Sequence, residues 1–469
     1  MIKYIQLVNK IKREIKAEVW NSCDKLPSIR QQAKDCHLST MTVMHAYRLL
    51  ESQGWIYSSH RSGYYVSTKA LKRHNSDENR PLKEFDNDDI IVNILQASRN
   101  KNITSLGYSY PDPSLYPVQQ LNKSLTHAIR YMPANSDADN LPPGNLELRR
   151  LISQRYSATG LDVCPKDIVI TTGALEALKL SLQAVTQAED WVILEKPTYY
   201  GALQTVKSLG LKPLFVNVSS LTGLDLEMLK MYLNQYPVKA VWLMSNMQNP
   251  TGLTLSNDVK QEIANLLNLH QVPLIEDDVY SELYFNDQPP LTISYFLNNE
   301  NRLLCSSFSK TLGAGYRIGW VIAGKHKYKI QKLKLLSSLT TSVPIQLALA
   351  HYLQTKDYVT HLRTLRNTLN NRKAILYSLL KELMPSSIHI SDHKGGYFIW
   401  LTLPRSVSSL DLYHMAFKNN ITIAPDCMFI NNSFEGGNDE LNKDINTAMS
   451  IRINSSFAMT QRQKNPLSG

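Results

Sequence analysis

The chain has 469 residues, a net charge of +11 and 43% hydrophobic residues, which is enough for buried cores in more than one domain. Its five cysteines are widely spread and form no CxxC pair, which argues against a disulfide framework and against a zinc site. The sequence contains neither a signal peptide nor an apolar run of membrane-spanning length, so we expect a cytoplasmic protein. From the spacing of the cysteines, we expect no metal site.

The positive charge is concentrated at the start of the chain. Residues 1–74 hold 13 Lys and Arg against five Asp and Glu, a net charge of +8, whereas the remainder holds 38 against 35, a net charge of +3. A small basic region of this kind is typical of a nucleic-acid-binding domain. A basic face that only keeps the protein in solution is the alternative.

The pattern of the basic region predicts three helices followed by a hairpin. Ser28 and Ser39 are placed to cap two short helices, and Gly54 ends the second one. The segments WIYSS and GYYVS flank a basic tip and predict two paired strands. Together these elements predict a helix-turn-helix with a wing. The first helix is predicted from apolar residues at three- and four-residue steps, namely Tyr4, Leu7, Val8, Ile11, Ile15 and Val19.

The stretch LPSIRQQAKDCHLSTMTVMHAYRLLESQGWIYSSHRSGYYV closely resembles the winged helix-turn-helix of the GntR regulator family. The resemblance implies that Arg30, Arg61 and Gly63 meet the phosphates or a groove of double-stranded operator DNA. Ser39 also has a purely structural interpretation as a helix cap. The resemblance further implies a set of recognition-helix residues that face the DNA: Ser39, Thr40, Met41, Thr42 and His45.

We expect the DNA-binding domain to cover residues 1–69 and a charged, polar linker to cover residues 70–89. From residue 90 to 469, short β-branched runs alternate with helical periodicity, which predicts an α/β domain with a largely parallel sheet. In such a sheet, ligands bind beyond the carboxyl ends of the strands. The residues at those ends are therefore the candidate site.

The chemistry of these residues favours a phosphorylated aldehyde. The amine of Lys310 can bond covalently to an aldehyde, while Ser307 and Arg317 hold a phosphate. Thr172, Gly173 and Ala174 lie between a strand and a helix start, where backbone N–H groups also favour phosphate. Further strand ends carry Tyr199, which could stack on a ring or be a buried aromatic, and Asn249, Asp277 and Tyr280, which could contact a pyridine ring and its oxygen.

In this order, the residues resemble the fold-type I pyridoxal-phosphate aminotransferases across about residues 105–457. The resemblance implies that Lys310 holds pyridoxal 5′-phosphate as an internal aldimine, and that Asp277, chosen over Asp278 by the DxxY spacing, keeps the pyridine nitrogen protonated. Lys310, Asp277 and Tyr280 are then the catalytic residues. The remaining contacts are Asn249 and Tyr280 with the ring oxygen, Tyr199 with the ring face, and Thr172, Gly173, Ala174, Leu175, Ser307 and Arg317 with the phosphate.

The last third of the chain is expected to form a smaller subdomain, next to a large subdomain of about residues 105–325. Arg452, in the short strand MSIRINSSF, resembles the arginine that binds the α-carboxylate of an aminotransferase substrate. A surface arginine on an edge strand is the alternative interpretation. The large and small subdomains and the winged helix together predict a multidomain fold.

The complete organisation resembles that of the MocR-type regulators, a subfamily of the GntR family. The resemblance implies a transcriptional regulator that senses pyridoxal phosphate or an amino compound and acts as a head-to-tail homodimer on two DNA half-sites. An active aminotransferase with a vestigial DNA-binding domain is the alternative. Ala314 and Asp426 stand where relatives commonly carry proline and glycine, and these departures weaken the case for turnover more than the case for cofactor binding.

Overall fold

The computed structural model describes residues 3–16, 19–21, 23–59, 62–67, 87–100, 102–219, 222–355, 357–430 and 449–458. The chain forms two compact units, Met1–Phe85 and Asp86–Gly469, referred to below as the N-terminal and C-terminal units. Most of the expected linker, residues 70–89, lies outside the described residues. The domain boundaries therefore stay predictions.

The described residues of the N-terminal unit form three helices and an antiparallel hairpin in which Ile56 pairs with Val66. The side chains of Ser28 and Ser39 accept hydrogen bonds from the backbone N–H groups of Gln31 and Thr42, the third residues of their helices, so both act as the caps that the sequence predicts. Val19 lies beyond Lys16, the last residue of the first helix, and is 63% exposed, so its inclusion in the apolar face of that helix was wrong. The elements are α1 (Lys3–Lys16), α2 (Ile29–Asp35), α3 (Thr40–Ser52), β1 (Ile56–Ser59) and β2 (Gly63–Val66).

The apolar faces of these elements meet in one core. Helix α3 contributes buried side chains at three- and four-residue steps, as expected for an amphipathic helix with one face covered. Its opposite face carries polar and exposed residues, which leaves that face open to a ligand. The core consists of Leu7, Val8, Ile11, Ile15, Leu26, Ala33, Val43, Ala46, Tyr47, Leu50, Ile56 and Val66.

The larger part of the C-terminal unit is built on an eight-stranded sheet with the order β4-β11-β10-β9-β8-β5-β6-β7. Strands β5, β6, β8, β9 and β10 are parallel, and β11 pairs antiparallel with both β10 and β4. The strands are β4 (Ile168–Thr171), β5 (Trp191–Lys196), β6 (Lys212–Ser219), β7 (Gly223–Leu224), β8 (Val238–Leu243), β9 (Leu274–Asp277), β10 (Arg302–Ser307) and β11 (Gly319–Ile322). Two further strands, β3 (Thr104–Ser105) and β14 (Ile421–Thr422), form a separate parallel pair.

Strands β4, β9, β10 and β11 are buried along their whole length, because helices cover both faces of the sheet. The carboxyl ends of β4, β5, β8, β9 and β10 meet at one edge, and β11 begins at that edge. The helices are α4 (Asn87–Ala97), α5 (Val118–Arg130), α6 (Ser136–Asp139), α7 (Leu146–Ser157), α8 (Ala174–Val185), α9 (Tyr200–Ser208), α10 (Leu226–Gln235), α11 (Asn257–His270), α12 (Lys327–Ser338), α13 (Val343–Gln354), α14 (Asp357–Leu383) and α15 (Ser409–Lys418).

A second sheet has four antiparallel strands in the order β12-β13-β16-β15. Residues of α4, α14 and α15 pack with this sheet in one hydrophobic cluster. Across the described ranges, no helix combines the length and the apolarity that crossing a membrane requires. The strands are β12 (His389–Ile390), β13 (Phe398–Thr402), β15 (Ala424–Pro425) and β16 (Ser450–Asn454).

Candidate functional site

The recognition helix α3 presents the residues that the sequence assigns to DNA. Thr40, Met41 and His45 are exposed, and Met41 is 59% exposed although it is apolar. The hydroxyl oxygens of Ser39 and Thr42 lie 2.8 Å apart and share a hydrogen bond. Ser39 therefore has the structural role of a cap, and a contact with DNA would be an additional role.

The remaining DNA-binding candidates lie on α2 and on the hairpin. Arg30 is exposed on α2, and Gly63 has a φ of 118° at the start of β2, a conformation that favours glycine. Arg61 falls outside the described residues. Lys25, which sequence reasoning did not single out, adds a cation beside the hairpin, because its ammonium lies 5.9 Å from the ring centre of Tyr65 on β2. Its position in the basic region was a signal that could have been used.

Lys310 ends a single 3₁₀ turn, Phe308–Lys310, that follows β10 directly. The side chain is 8% exposed, so Lys310 is not a solvated surface lysine. Its Nζ donates to the carbonyl oxygen of Ser109 at 2.9 Å and lies 3.8 Å from the ring centre of Tyr110. Burial lowers the pKa of Lys310 to about 7, with a further contribution from the cation of Arg452. A substantial neutral fraction is thus present near pH 7.

Asp277 is the last residue of β9 and is also buried. Burial raises its pKa to about 7, and the cation of Lys310 opposes that shift. Its Oδ1 has no hydrogen-bond partner within the described part of the chain, which is costly for a buried carboxylate oxygen. The neighbouring Asp278 also has a buried Oδ1 without a partner, but its Oδ2 accepts hydrogen bonds from Ser281 and Tyr156, and Lys310 does not contribute to the shift of its pKa. Asp277 is thus the carboxylate of the pair that Lys310 influences.

Arg317, Gly173 and Thr172 form a compact group at the same edge of the sheet. The Nη2 of Arg317 donates to the carbonyl oxygen of Thr172 at 2.8 Å. Gly173 has a φ of 93°, which favours glycine, and a Cβ atom there would lie 2.4 Å from that Nη2, so a larger residue would displace the guanidinium. The first-turn N–H groups of α8, which include those of Ala174 and Leu175, have no acceptor within the helix. A cation and free donors at a helix N-terminus suit an anion such as phosphate.

The backbone N–H of Thr172 is already used. It donates to Oε2 of Glu176 at 2.6 Å, and the same oxygen accepts from Nζ of Lys334 at 2.9 Å. Thr172 can therefore meet a phosphate through its hydroxyl but not through its N–H. Ser307, at the end of β10, is buried, and its hydroxyl accepts a long hydrogen bond of 3.4 Å from the N–H of Ser309.

Arg452 is fully buried in β16, which lies between β13 and β15. The interpretation as a surface arginine on an edge strand is therefore wrong. Its Nη1 donates to Oδ1 of Asn249 at 2.6 Å and its Nη2 to the carbonyl oxygen of Gly107 at 2.7 Å. Its Nε has no partner, and no carboxylate among the described residues forms an ion pair with it. A buried cation of this kind favours an anionic ligand.

Tyr280 and Tyr199 complete the set that the sequence predicts. Tyr280 is buried, and its ring centre lies 5.4 Å from Nζ of Lys310. Burial raises the pKa of Tyr280, so its hydroxyl is a donor at neutral pH. Tyr199 precedes α9 and remains partly exposed, with Tyr110, Tyr280 and Asp277 near enough to affect its pKa, which burial raises.

Three residues close to Lys310 were missed by sequence reasoning. Ser109 and Tyr110 belong to the proline- and tyrosine-rich segment YSYPDPSLYP, and Tyr397 follows two glycines. The hydroxyl of Tyr397 donates to the carbonyl oxygen of Ser109 at 3.0 Å, the same oxygen that accepts from Lys310. The density of aromatic residues in the first segment was the available signal.

These residues fit pyridoxal 5′-phosphate on four counts. A largely desolvated amine suits its aldehyde, and the unpaired Oδ1 of Asp277 suits a protonated pyridine nitrogen. The Arg317 cation near the start of α8 suits the phosphate. The buried Arg452 suits the carboxylate of an amino acid.

Comparison with known proteins agrees with this geometry. Residues 115–426 match the family described as aminotransferase class I and II, and residues 3–66 match the bacterial regulatory proteins of the gntR family. The chain is 47% identical over 431 residues to the uncharacterized HTH-type transcriptional regulator YdcR of Escherichia coli K12, and the match covers 92% of each chain. The chain belongs to the MocR-type regulators. This MocR-type regulator is also 27% identical to the HTH-type transcriptional regulator NorG of Staphylococcus aureus USA300, over 86% of its own length and 91% of that of NorG.

Solved structures show the same fold for the C-terminal unit of this MocR-type regulator. A kynurenine aminotransferase of Pyrococcus horikoshii matches with a TM-score of 0.72 at 23% identity, covering 85% of this chain and 96% of the other. LysN, the α-aminoadipate aminotransferase of Thermus thermophilus, matches with a TM-score of 0.69 at 23% identity, covering 81% and 91%. At these identities the likeness concerns the fold alone. The predicted fold class, a winged helix-turn-helix plus an α/β fold of type I, is confirmed.

Proposed function

We propose that this transcriptional regulator holds pyridoxal 5′-phosphate on Lys310 and changes its affinity for operator DNA when an amino acid enters the same site. The observation that carries the proposal is the pairing of a desolvated amine on Lys310 with a buried, unpaired carboxylate oxygen on Asp277. Neither feature stabilises the protein alone, because burying an uncompensated ionisable group costs free energy. Both become favourable once a ring with an aldehyde and a protonated nitrogen lies between them.

Each residue has a distinct task in this proposal. Lys310 holds the aldehyde carbon, and Asp277 accepts a hydrogen bond from the ring nitrogen and keeps it protonated. When bound, the cofactor supplies an electron sink for charge that develops at the α-carbon of an amino acid. The other contacts are Asn249 and Tyr280 with the ring oxygen, Tyr199 with the ring face, and Arg317, Ser307, Thr172, Gly173, Ala174 and Leu175 with the phosphate.

The effector in this proposal carries a carboxylate, because Arg452 is a buried cation without an acid partner among the described residues. Asn249 orients the guanidinium by accepting from Nη1, which leaves the Nε–H for the ligand. Asp426 supports this strand: its Oδ2 accepts from the N–H of Ser450 at 3.0 Å and its Oδ1 from the hydroxyl of Ser409 at 2.5 Å. Asp426, at a position where relatives commonly carry glycine, thus links helix α15 through hydrogen bonds to β16, the strand that carries Arg452.

The rate of cofactor incorporation should depend on pH in a way that reports the pKa of Lys310. Only the neutral amine attacks an aldehyde, and the pKa of this amine is lowered to about 7. We expect the incorporation rate, followed by near-visible absorbance after mixing apoprotein with pyridoxal phosphate, to rise roughly tenfold per pH unit below that value and to level off above it. A rate that still climbs above about pH 9, as an ordinary lysine would give, contradicts the assignment.

DNA binding should depend on Arg30 through a phosphate contact. Replacing Arg30 with alanine is expected to weaken binding to operator and random duplexes by similar factors and to reduce the slope of log affinity against log salt by about one. Lys10→Ala is the matched control, since it also removes one positive charge. Lys10 is exposed on α1, and its Nζ lies 3.9 Å from Oε1 of Glu14. If Arg30→Ala binds both duplexes with the wild-type salt slope, the proposed contact is wrong.

A working aminotransferase is the second candidate function, and the joint burial of Lys310, Asp277 and Arg452 favours it. The distinguishing experiment incubates the holoprotein with a panel of amino acids and looks for a 2-oxo acid and the pyridoxamine form of the cofactor. Multiple turnovers would support catalysis. Absence of both products from every amino donor would exclude it and would leave the regulatory proposal intact.

The proposed oligomer is a head-to-tail homodimer, which suits two half-sites on DNA. Exposed apolar side chains on and just after α5, including Ile129 and Tyr131, are consistent with a covered face. Sedimentation equilibrium should return twice the mass of the chain. A single-chain mass at micromolar concentration would contradict the dimer.

A further inference from the structure

A small cavity adjoins Arg452 and is walled on one side by helix α4. It encloses about 10 Å³ of space for the centre of a water-sized sphere, which is room for roughly one water molecule. Three of the lining side chains, Ile91, Ile94 and Leu95, come from α4. The other lining residues are Gly107, Ser109, Tyr200, Met428 and Arg452.

The polar wall of this cavity consists of groups that already belong to the candidate site. The carbonyl oxygen of Ser109 accepts from Nζ of Lys310, and the carbonyl oxygen of Gly107 accepts from Nη2 of Arg452. An amino acid that engages both the Lys310 side and Arg452 carries its side chain on the carbon between its amine and its carboxylate. That side chain needs space next to both groups, and the cavity is such a space.

Apart from Tyr200, the remaining wall is apolar, because Ile91, Ile94, Leu95 and Met428 offer only aliphatic or thioether surface. A charged or strongly polar side chain that packed against these four residues would be buried without a partner, which is unfavourable. An apolar side chain would be buried with a gain in affinity. The present volume accommodates about one methyl-sized group, so a longer side chain has to move part of the wall.

Helix α4 is the part of the wall that is placed to transmit such a movement. It is the first described element of the C-terminal unit, which begins at Asp86, directly after the N-terminal unit ends at Phe85. Ile91 and Ile94 are buried in the cluster around the four-stranded sheet, whereas Leu95 is 37% exposed and least restrained. A ligand that pushes on Leu95 therefore acts on α4, the helix that follows the N-terminal unit in the chain.

We infer that α4 forms the side-chain subsite of the effector. The subsite takes amino acids with a small apolar side chain, and larger apolar side chains displace α4. The inference rests on the proposed function, since it places the effector between Lys310 and Arg452. It makes Ile91, Ile94 and Leu95 the residues that determine which amino acid the regulator detects, and it makes α4 the element whose displacement the effector produces.

The test titrates the holoprotein with glycine, alanine, 2-aminobutyrate, valine and leucine and follows the near-visible spectrum. Wild type should prefer alanine or 2-aminobutyrate. Leu95→Ala should shift the preference to larger side chains, by about fourfold in relative affinity for each additional buried methylene. Leu95→Phe fills the space and should leave glycine as the best ligand. Val92→Ala is the matched control, because Val92 lies on the same helix, is 47% exposed and does not line the cavity.

Hydrogen exchange of the amides of α4 supplies the readout for displacement. Leucine should speed exchange in residues 87–97 relative to alanine at equal saturation, and Leu95→Ala should abolish the difference because the enlarged space accepts leucine without movement.

The outcomes separate the subsite from the proposed function. If both Leu95 variants show the wild-type order of preference, the subsite is wrong while the proposed function stands. If no amino acid changes the spectrum of a holoprotein whose cofactor is linked to Lys310, the amino acid effector of the proposed function is wrong, and the subsite with it, while cofactor binding stands. If exchange in α4 is the same with leucine and alanine, the displacement is wrong. A protein that fails to link the cofactor to Lys310 overturns the proposed function and, with it, this inference.

Discussion

Replacement of Lys310 by alanine is expected to abolish the near-visible absorbance of the protein mixed with pyridoxal phosphate and to remove the response of operator binding to amino acids. The variant lacks the only amine that the described residues place between Ser109, Tyr110 and Tyr280. A methyl group at that position cannot bond to an aldehyde. The measurement is an absorbance spectrum after removal of free cofactor, followed by a gel shift with and without an amino acid.

Lys332→Ala is the control for this variant. Lys332 is an exposed lysine on α12, so its removal changes the charge of the same unit without touching the site. The variant should keep the absorbance band and the response. A Lys310→Ala protein that retains a stable band after gel filtration would show that another lysine holds the cofactor.

Replacement of Arg452 by leucine is expected to weaken the response to amino acids by roughly 100-fold, while the absorbance of the bound cofactor remains. The side chain supplies the buried cation of the site, and charge-assisted hydrogen bonds to a carboxylate are each worth about 1.5–3 kcal/mol. Leucine keeps an apolar body against the rings of Phe398 and Phe429, which pack against the guanidinium. The measurement is the amino acid concentration at half-maximal spectral change.

Two comparisons make the Arg452 result interpretable. Arg405→Leu removes an exposed arginine from the same unit and should leave the titration unchanged. An amine without a carboxylate, such as isobutylamine, should bind wild type and Arg452→Leu with similar affinity, because it never uses the guanidinium. An equal loss of affinity for leucine and for isobutylamine would mean that Arg452 has only a structural role.

Much of the fold could be predicted because its signals are local. Ser28 and Ser39 cap helices through bonds to residues three positions away, and the apolar steps of α3 coincide with its buried face. The strand ends could be assigned to one edge because parallel connections place them there. The end of the first helix could not be predicted in the same way. Val19 continues the three- and four-residue spacing of apolar residues, although α1 ends at Lys16.

The contacts that define the candidate site were less accessible to sequence reasoning because they join distant parts of the chain. The bond from Lys310 to Ser109 spans 201 residues, and the bond from Arg452 to Asn249 spans 203. Whether Arg452 lay in an edge strand or between two strands depended on the order of β13, β15 and β16, which local patterns do not determine. The hydrogen bond from the N–H of Thr172 to the carboxylate of Glu176 likewise depends on the side-chain conformation of Glu176, which the sequence does not determine.

Borohydride reduction followed by peptide mapping shows whether the cofactor aldehyde is bound to Lys310. Reduction fixes the cofactor to its lysine and blocks tryptic cleavage there, so we expect one labelled peptide, LLCSSFSKTLGAGYR, covering residues 303–317 with Lys310 uncleaved. Cleavage after Lys310 in the reduced holoprotein, with the label on another lysine or on none, would contradict it.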